Sequence, residues 1–224
     1  MGMSAVLLVD TLVELEDVHH APIDVVARTL ARICRFGGRL PQDGPLSFHS
    51  VAEHCVLVRQ ILRAWGFGPL AQWYGLLHDG HEALSGDITT PVKNWIGAEH
   101  MASREGKLMD AFLRVQGLPP MGLVEAQAVW HADQVALATE AQALGLDLSL
   151  FGEDVASYAE LSPSAASLRA WNLLQPDPEG ETMRARVERV AQRFVSESGE
   201  LEARMRKSTG DARCCGACAS CARA

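Results

Sequence analysis

Four residues in three separated stretches carry the chemistry of a divalent-metal site: His54 in "SVAEHC", His78 and Asp79 in "LLHDGHE", and Asp133 in "HADQVALATE". Imidazole and carboxylate donors together suit borderline or hard divalent ions, and a set of four leaves positions open for water and substrate. That pattern favours hydrolysis. Each of the four lies beside apolar neighbours, as a residue must if it is to point from a helix into a bundle, where helical proteins commonly build metal sites.

The elements that must hold these residues read as helices. Hydrophobic residues make up 48% of the chain but aromatics only 6%, and Leu, Ala, Val, Arg and Glu dominate, so an all-α fold is expected. The apolar spacing predicts helices over residues 25–35, from a Ser47 or Ser50 cap to about 65, and over 68–86. Further helices are expected over about 97–115, 120–144, 155–174 and 180–207, separated by Gly, Pro or Asp clusters. The segment "DITTPVK" reads as a loop, and residues 5–16 as a short strand or hairpin. Residues 1–207 are expected to form a single domain and 208–224 a flexible, Cys-rich tail.

Charge and length narrow the partners. A formal charge of −8 and a pI near 5.5 argue against a surface that wraps a long nucleic acid, which needs clustered Lys and Arg. No apolar run has the length needed to cross a bilayer, and the first residues turn acidic too early for a signal peptide, so no membrane partner and a cytoplasmic location are expected. Of the six cysteines, Cys34 and Cys55 stand alone, while Cys214, Cys215, Cys218 and Cys221 crowd the end, a distribution suited to a reducing compartment. The repeated spacing of Cys215, Cys218 and Cys221 could bind Zn or an iron–sulfur centre, but an oxidation-prone disordered tail is the favoured reading.

Taken in order, "RICRFGGR", "SVAEHCVLV", "LLHDGHEALSGDITTPVK" and "HADQVALATEAQAL" resemble the HD-domain phosphohydrolases. The likeness is closest to the branch of the bacterial 5′-deoxynucleotidases and phage dATP triphosphohydrolases, and it runs from about residue 24 to 144. It implies an HD-domain helical bundle in which His54, His78, Asp79 and Asp133 hold a divalent metal ion (Co, Mn, Zn or Mg). It also implies Glu82 as the acid/base, Asp87 in a supporting or substrate-contacting role, and a homo-oligomer of two or more copies. Glu82 follows Asp79 by three residues, so on a helix the two share a face.

Arg35, beside glycines that let backbone approach a ligand, could grip phosphate oxygens in a forked geometry, and the resemblance supports it as the phosphate clamp. Lys93 would add a second cation, while Phe36 and Pro91 would press on the base or sugar. The ligand of the "EH" pair is His54 rather than His49. His81, two positions past Asp79, would point away from that residue's face, and His131 stands in the same relation to Asp133; these three are placed behind the ligands or on the surface.

The expected reaction is cleavage of a deoxynucleotide at the α-phosphorus, dNMP to deoxynucleoside plus phosphate. A dATP or dNTP triphosphohydrolase is the alternative. Gly38 in "RFGGR" departs from the bulkier residues of the adenine-selective phage enzymes and weighs against dATP selectivity. A non-catalytic nucleotide-sensing module would use the same pocket without turnover.

Overall fold

In the computed structural model, which describes residues 21–44 and 46–208 together with the backbone of 5–8 and 11–14, the chain opens with an antiparallel pair. Strands β1 (Ala5–Leu8) and β2 (Thr11–Glu14) register Ala5 against Glu14 and Leu8 against Thr11, giving the hairpin expected from residues 5–16. Helix α1 (Ile23–Leu30) follows, burying Val26, Ala27 and Leu30.

α1 stops short of Arg35, where the apolar spacing had extended it. Tertiary pairing takes the chain away: Cys34 is extended and bridges to Ser50, Arg35 N donates to His49 O at 2.8 Å, and Val51 N donates to Ile33 O at 3.0 Å. Residues 35–38 then turn tightly, with Phe36 and Gly37 both left-handed at φ 58° and 60°. Gly37 adopts that region freely, whereas a residue with a Cβ pays for it, so Phe36 is held there by its surroundings.

Ser50 starts α2 (Val51–Ala64) with a reciprocal cap: its hydroxyl accepts from Glu53 N at 3.3 Å and its own N donates to the Glu53 carboxylate at 2.9 Å. α3 (Pro69–Leu77) has proline in its first turn, where a missing N–H costs nothing. The single helix expected over 68–86 is instead broken at residues 78–81 before the short α4 (Glu82–Ser85). At Gly80 the backbone passes against another helix: a Cβ there would lie 2.1 Å from Phe112 Cε1, so only glycine fits the turn.

α5 (Thr90–Ile96) begins inside the segment read as a loop, with Pro91 in its first turn. α6 (Ala98–Val115) and α7 (Leu123–Ala143) lie within two or three residues of expectation. The helix expected over 155–174 is two helices, α8 (Glu153–Tyr158) and α9 (Ala165–Trp171). Pro163 forces Ser162 into an extended conformation (ψ 138°), and Ser164 then caps α9 by accepting from Ser167 N at 3.1 Å. α10 (Met183–Ser208) closes the fold.

The architecture is an all-α bundle with one small hairpin. α2 is its axis, packed against α3, α7 and α10, with Leu57, Ile61, Leu76, Leu77, Val135 and Phe194 in the shared core. The C-terminal helix is also pinned by polar contacts. Buried Arg59 pairs with Glu197 at 3.0 Å and Glu200 at 3.3 Å, and Trp73 Nε1 donates to Ser198 Oγ at 3.1 Å. Among the described residues no helix is long and apolar enough to cross a membrane. Cys214, Cys215, Cys218 and Cys221 lie outside the described residues.

Candidate metal centre

Each proposed ligand arrives on its own piece of the bundle. His54 lies in the first turn of α2, His78 caps the end of α3, Asp79 follows in the Gly80 turn, and Asp133 sits midway along α7. Their donor atoms converge. His54 Nε2 lies 3.0 Å from Asp133 Oδ1, 3.3 Å from His78 Nε2 and 3.6 Å from Asp79 Oδ2. His78 Nε2 lies 3.2 Å from Asp79 Oδ2 and 3.7 Å from Asp133 Oδ1.

His54, His78 and Asp133 form one group whose donor atoms could hold an ion together, and Asp79 falls in a second such group with His78 and Cys55. Donors about 2.1 Å from one centre stand about 3.0 Å apart at right angles and about 3.4 Å apart at the tetrahedral angle. The rings are also held in the orientation that ligation requires. His54 Nδ1 donates to Glu140 Oε1 at 2.8 Å and His78 Nδ1 donates to Gly75 O at 2.9 Å, and neither acceptor can give a proton back. In a neutral ring this leaves each Nε2 lone pair aimed at the common centre. Two lone pairs facing two carboxylates need positive charge among them, so the donor set fits a divalent ion.

The electrostatics say the same. Burial pushes both imidazoles toward the neutral form, yet Glu140 and Asp133 around His54, and Asp79 and Asp133 around His78, raise both above the ordinary histidine value. Burial would raise the Asp79 and Asp133 carboxyls, but His54 and His78 hold both well below the usual range. The cluster thus favours a positive charge between its imidazoles and carboxylates, a role open to a proton or a divalent ion. The Cys55 thiol groups with His78 and Asp79 as a second candidate set, and burial pushes it up to about 11.

Arg35 borders the cluster. Its Nη1 is 3.9 Å from Asp79 Oδ2 and its Nη2 is 3.4 Å from Glu140 Oε2. Burial opposes its charge, but Glu140, Asp79, Asp133 and Asp87 outweigh that penalty and keep it cationic. The guanidinium sits over the Phe36 ring at 5.6 Å, and Phe36 meets Phe151 edge to face at 5.8 Å. A Cβ on Gly37 would come within 3.6 Å of Thr89, which places the "RFGG" turn beside the "DITTP" segment.

Glu82 is 4% exposed and its Oε2 has no hydrogen-bond partner. Burial first, then the charges of Asp79 and Asp87, push its carboxyl up to about 9. Asp87 is half-buried and raised by burial, in the fields of Arg35, Asp79 and Lys93. Lys93 Nζ pairs with Glu105 at 2.9 Å, and Pro91 is exposed on α5. His49 is buried and donates through Nε2 to Glu140 Oε1 at 2.9 Å, so it stands behind the ligands. His81 is buried with both ring nitrogens unpartnered and, through burial, a lowered pKa; His131 is exposed and bonded to the Tyr158 hydroxyl.

No family model matches the chain. Over 171 residues it is 30% identical to the uncharacterized protein RCAP_rcc00048 of Rhodobacter capsulatus, a match covering 75% of this chain and 79% of that protein. The chain belongs to the RCAP_rcc00048 family. It is also 37% identical over 127 residues to the uncharacterized protein YfdR of Escherichia coli, covering 56% of this chain and 62% of YfdR.

In this member of the RCAP_rcc00048 family, the residue that sequence reasoning missed is Glu140, wholly buried and bonded to His49, His54 and Arg35. A signal for it existed. Glu140 follows Asp133 by seven residues, which returns a helix to within about 20° of the same face.

Proposed function

We propose that the protein is an HD-domain phosphohydrolase that uses a divalent ion to cleave (deoxy)nucleotides at the α-phosphorus, converting dNMP to deoxynucleoside and phosphate. The observation that carries this reading is the grouping of donor atoms from His54, His78 and Asp133, with Asp79 against both imidazoles, beside the buried guanidinium of Arg35. A metal cluster alone would suit many reactions; a fixed, forked cation at its edge suits a phosphoryl group.

An ion held by the four ligands would supply Lewis acidity and a water of lowered pKa. The chain's own groups would do the rest. Arg35 would bind the phosphoryl oxygens, held in place by Glu140 and the Phe36 ring. Glu82, whose carboxyl prefers to keep its proton, would be the group that exchanges a proton with the attacking water or the leaving 5′ oxygen. Asp87 would orient the substrate beside it. Lys93, released from Glu105, would add a second positive charge, with Phe36 and Pro91 flanking the base or sugar. In this reading the protein works on the free nucleotide pool of the cytoplasm, as a homo-oligomer.

The test is to incubate the protein with Co, Mn, Mg or Zn and a panel of dNMPs and dNTPs, and to identify products by chromatography. Free phosphate with deoxynucleoside supports the reading. Triphosphate would move the assignment to the dNTP triphosphohydrolase alternative, and binding without turnover to a nucleotide-sensing role.

A further inference from the structure

The fully buried Glu140 is a carboxylate served by three donors from outside its own helix. Its Oε1 accepts from His54 Nδ1 at 2.8 Å and His49 Nε2 at 2.9 Å, and its Oε2 accepts from Arg35 Nη2 at 3.4 Å. The donors are themselves one unit, because Arg35 N is hydrogen-bonded to His49 O at 2.8 Å and α2 starts at the next residue but one.

We propose that Glu140 is a positioning residue that serves the metal ligand His54 and the phosphate clamp Arg35 together, so that one buried carboxylate sets the geometry of both halves of the site. The inference rests on the phosphohydrolase reading and adds a role which that reading does not contain. One oxygen fixes the tautomer of His54, keeping its Nε2 lone pair toward the ligand cluster. The other restrains the guanidinium through one nitrogen while its second terminal nitrogen remains near Asp79, at 3.9 Å.

His49 completes the arrangement. It fills the remaining approach to Oε1, and its Nδ1 lies 3.8 Å from Glu53 Oε2. Glu53 is held in turn by Arg186 of α10 at 2.9 Å, and Arg186 also donates to Phe48 O at 2.8 Å. The line of contacts runs from the C-terminal helix through the α2 cap to the back of the metal ligand. Replacing Glu140 by Gln would preserve the volume but turn an amide N–H₂ toward either Arg35 or the histidines, leaving one donor facing another.

The experiment compares wild type, Glu140→Gln and Arg35→Ala, each as the full chain, by chelator competition with Zn or Co, by the visible spectrum of the Co form, and by inorganic phosphate affinity in the metal-loaded state. Glu140→Gln is expected to lose metal affinity by roughly ten- to a hundredfold, to shift the Co spectrum, and to weaken phosphate binding. Arg35→Ala is expected to weaken phosphate binding alone. A folded Glu140→Gln protein with wild-type metal affinity and Co spectrum overturns the proposal. If Glu140→Gln does not fold, Glu140→Asp, which is too short to reach all three donors, carries the same expectation and the same contrary result. A wild-type protein that takes up no divalent ion would sink the phosphohydrolase reading itself, so the two failures are distinguishable.

Discussion

His54 and His78 face each other Nε2 to Nε2 at 3.3 Å, each locked from behind through Nδ1, one by Glu140 and the other by the Gly75 carbonyl. The rings come from α2 and α3, the helices that share the core's axis, so rigid packing rather than a loop sets the separation. Two ring nitrogens in this relation, with Asp79 and Asp133 beside them, favour a positive charge between them.

Metal addition is therefore expected to stabilise the fold. An ion present at about a hundred times its dissociation constant adds about 2.7 kcal/mol, read as a rise in Tm that chelator reverses. His54→Ala should abolish the rise, whereas His81→Ala should keep it, because His81 belongs to neither candidate donor group and its ring nitrogens make no hydrogen bond. A lost response in His81→Ala with His54→Ala unaffected would reverse the ligand assignment.

Glu82 predicts a pH dependence in the metal-free protein. Its folded-state carboxyl titrates near 9 against an ordinary 4.5, so between those values the folded chain retains a proton that the unfolded chain gives up. Stability attributable to this group is whole below pH 4.5 and falls as pH climbs toward 9. Urea unfolding at about pH 5 and about pH 8.5, in chelator, should show a smaller loss for Glu82→Gln than for wild type. Equal losses would mean that Glu82 does not sit in the environment described.

Gly80 is expected to tolerate no side chain. With a Cβ only 2.1 Å from the Phe112 ring, Gly80→Ala must move either the ring or the ligand-bearing turn, at a cost of roughly 1–3 kcal/mol. Denaturant midpoints measure the loss. Metal affinity should fall with it, because Asp79 is the neighbouring residue; a variant with both unchanged would contradict this packing.

Ser50→Ala should remove the reciprocal cap of α2 and cost about 1 kcal/mol. The same change frees Glu53, which faces His49 and Arg186, so a double-mutant cycle with Arg186→Met should show coupling between the two positions. Additive effects would contradict a continuous network behind the site.

Several helices were legible because their signals are local, as with the Ser50 cap of α2 and the proline opening α3, whereas α5 was not, because the segment around Pro91 read as a loop. Pro163 is an equally local signal, and it divides the helix expected over 155–174. The break at residues 78–81 was not legible, and neither was the approach of Gly80 to Phe112 on another helix, which nothing adjacent in sequence announces. The early end of α1 likewise involves a contact from outside the local sequence, the Cys34 bridge to Ser50. At the site, His54, His78, Asp79 and Asp133 stood out through their motifs; the structure groups the two histidines with Asp133 and sets Asp79 against both imidazoles. Glu140 did not stand out, because a single acid in an apolar helix acquires meaning only from the His49, His54 and Arg35 donors that fold against it.

The proposed function is metal-dependent hydrolysis of nucleotide phosphate at the cluster of His54, His78, Asp79 and Asp133. It is tested most directly by measuring phosphate release from dNMPs by chelator-stripped protein before and after Co or Mn is restored, beside Asp79→Asn treated identically. The account predicts release that returns with the ion in wild type and stays at background in Asp79→Asn. Full, metal-independent turnover by Asp79→Asn would contradict it.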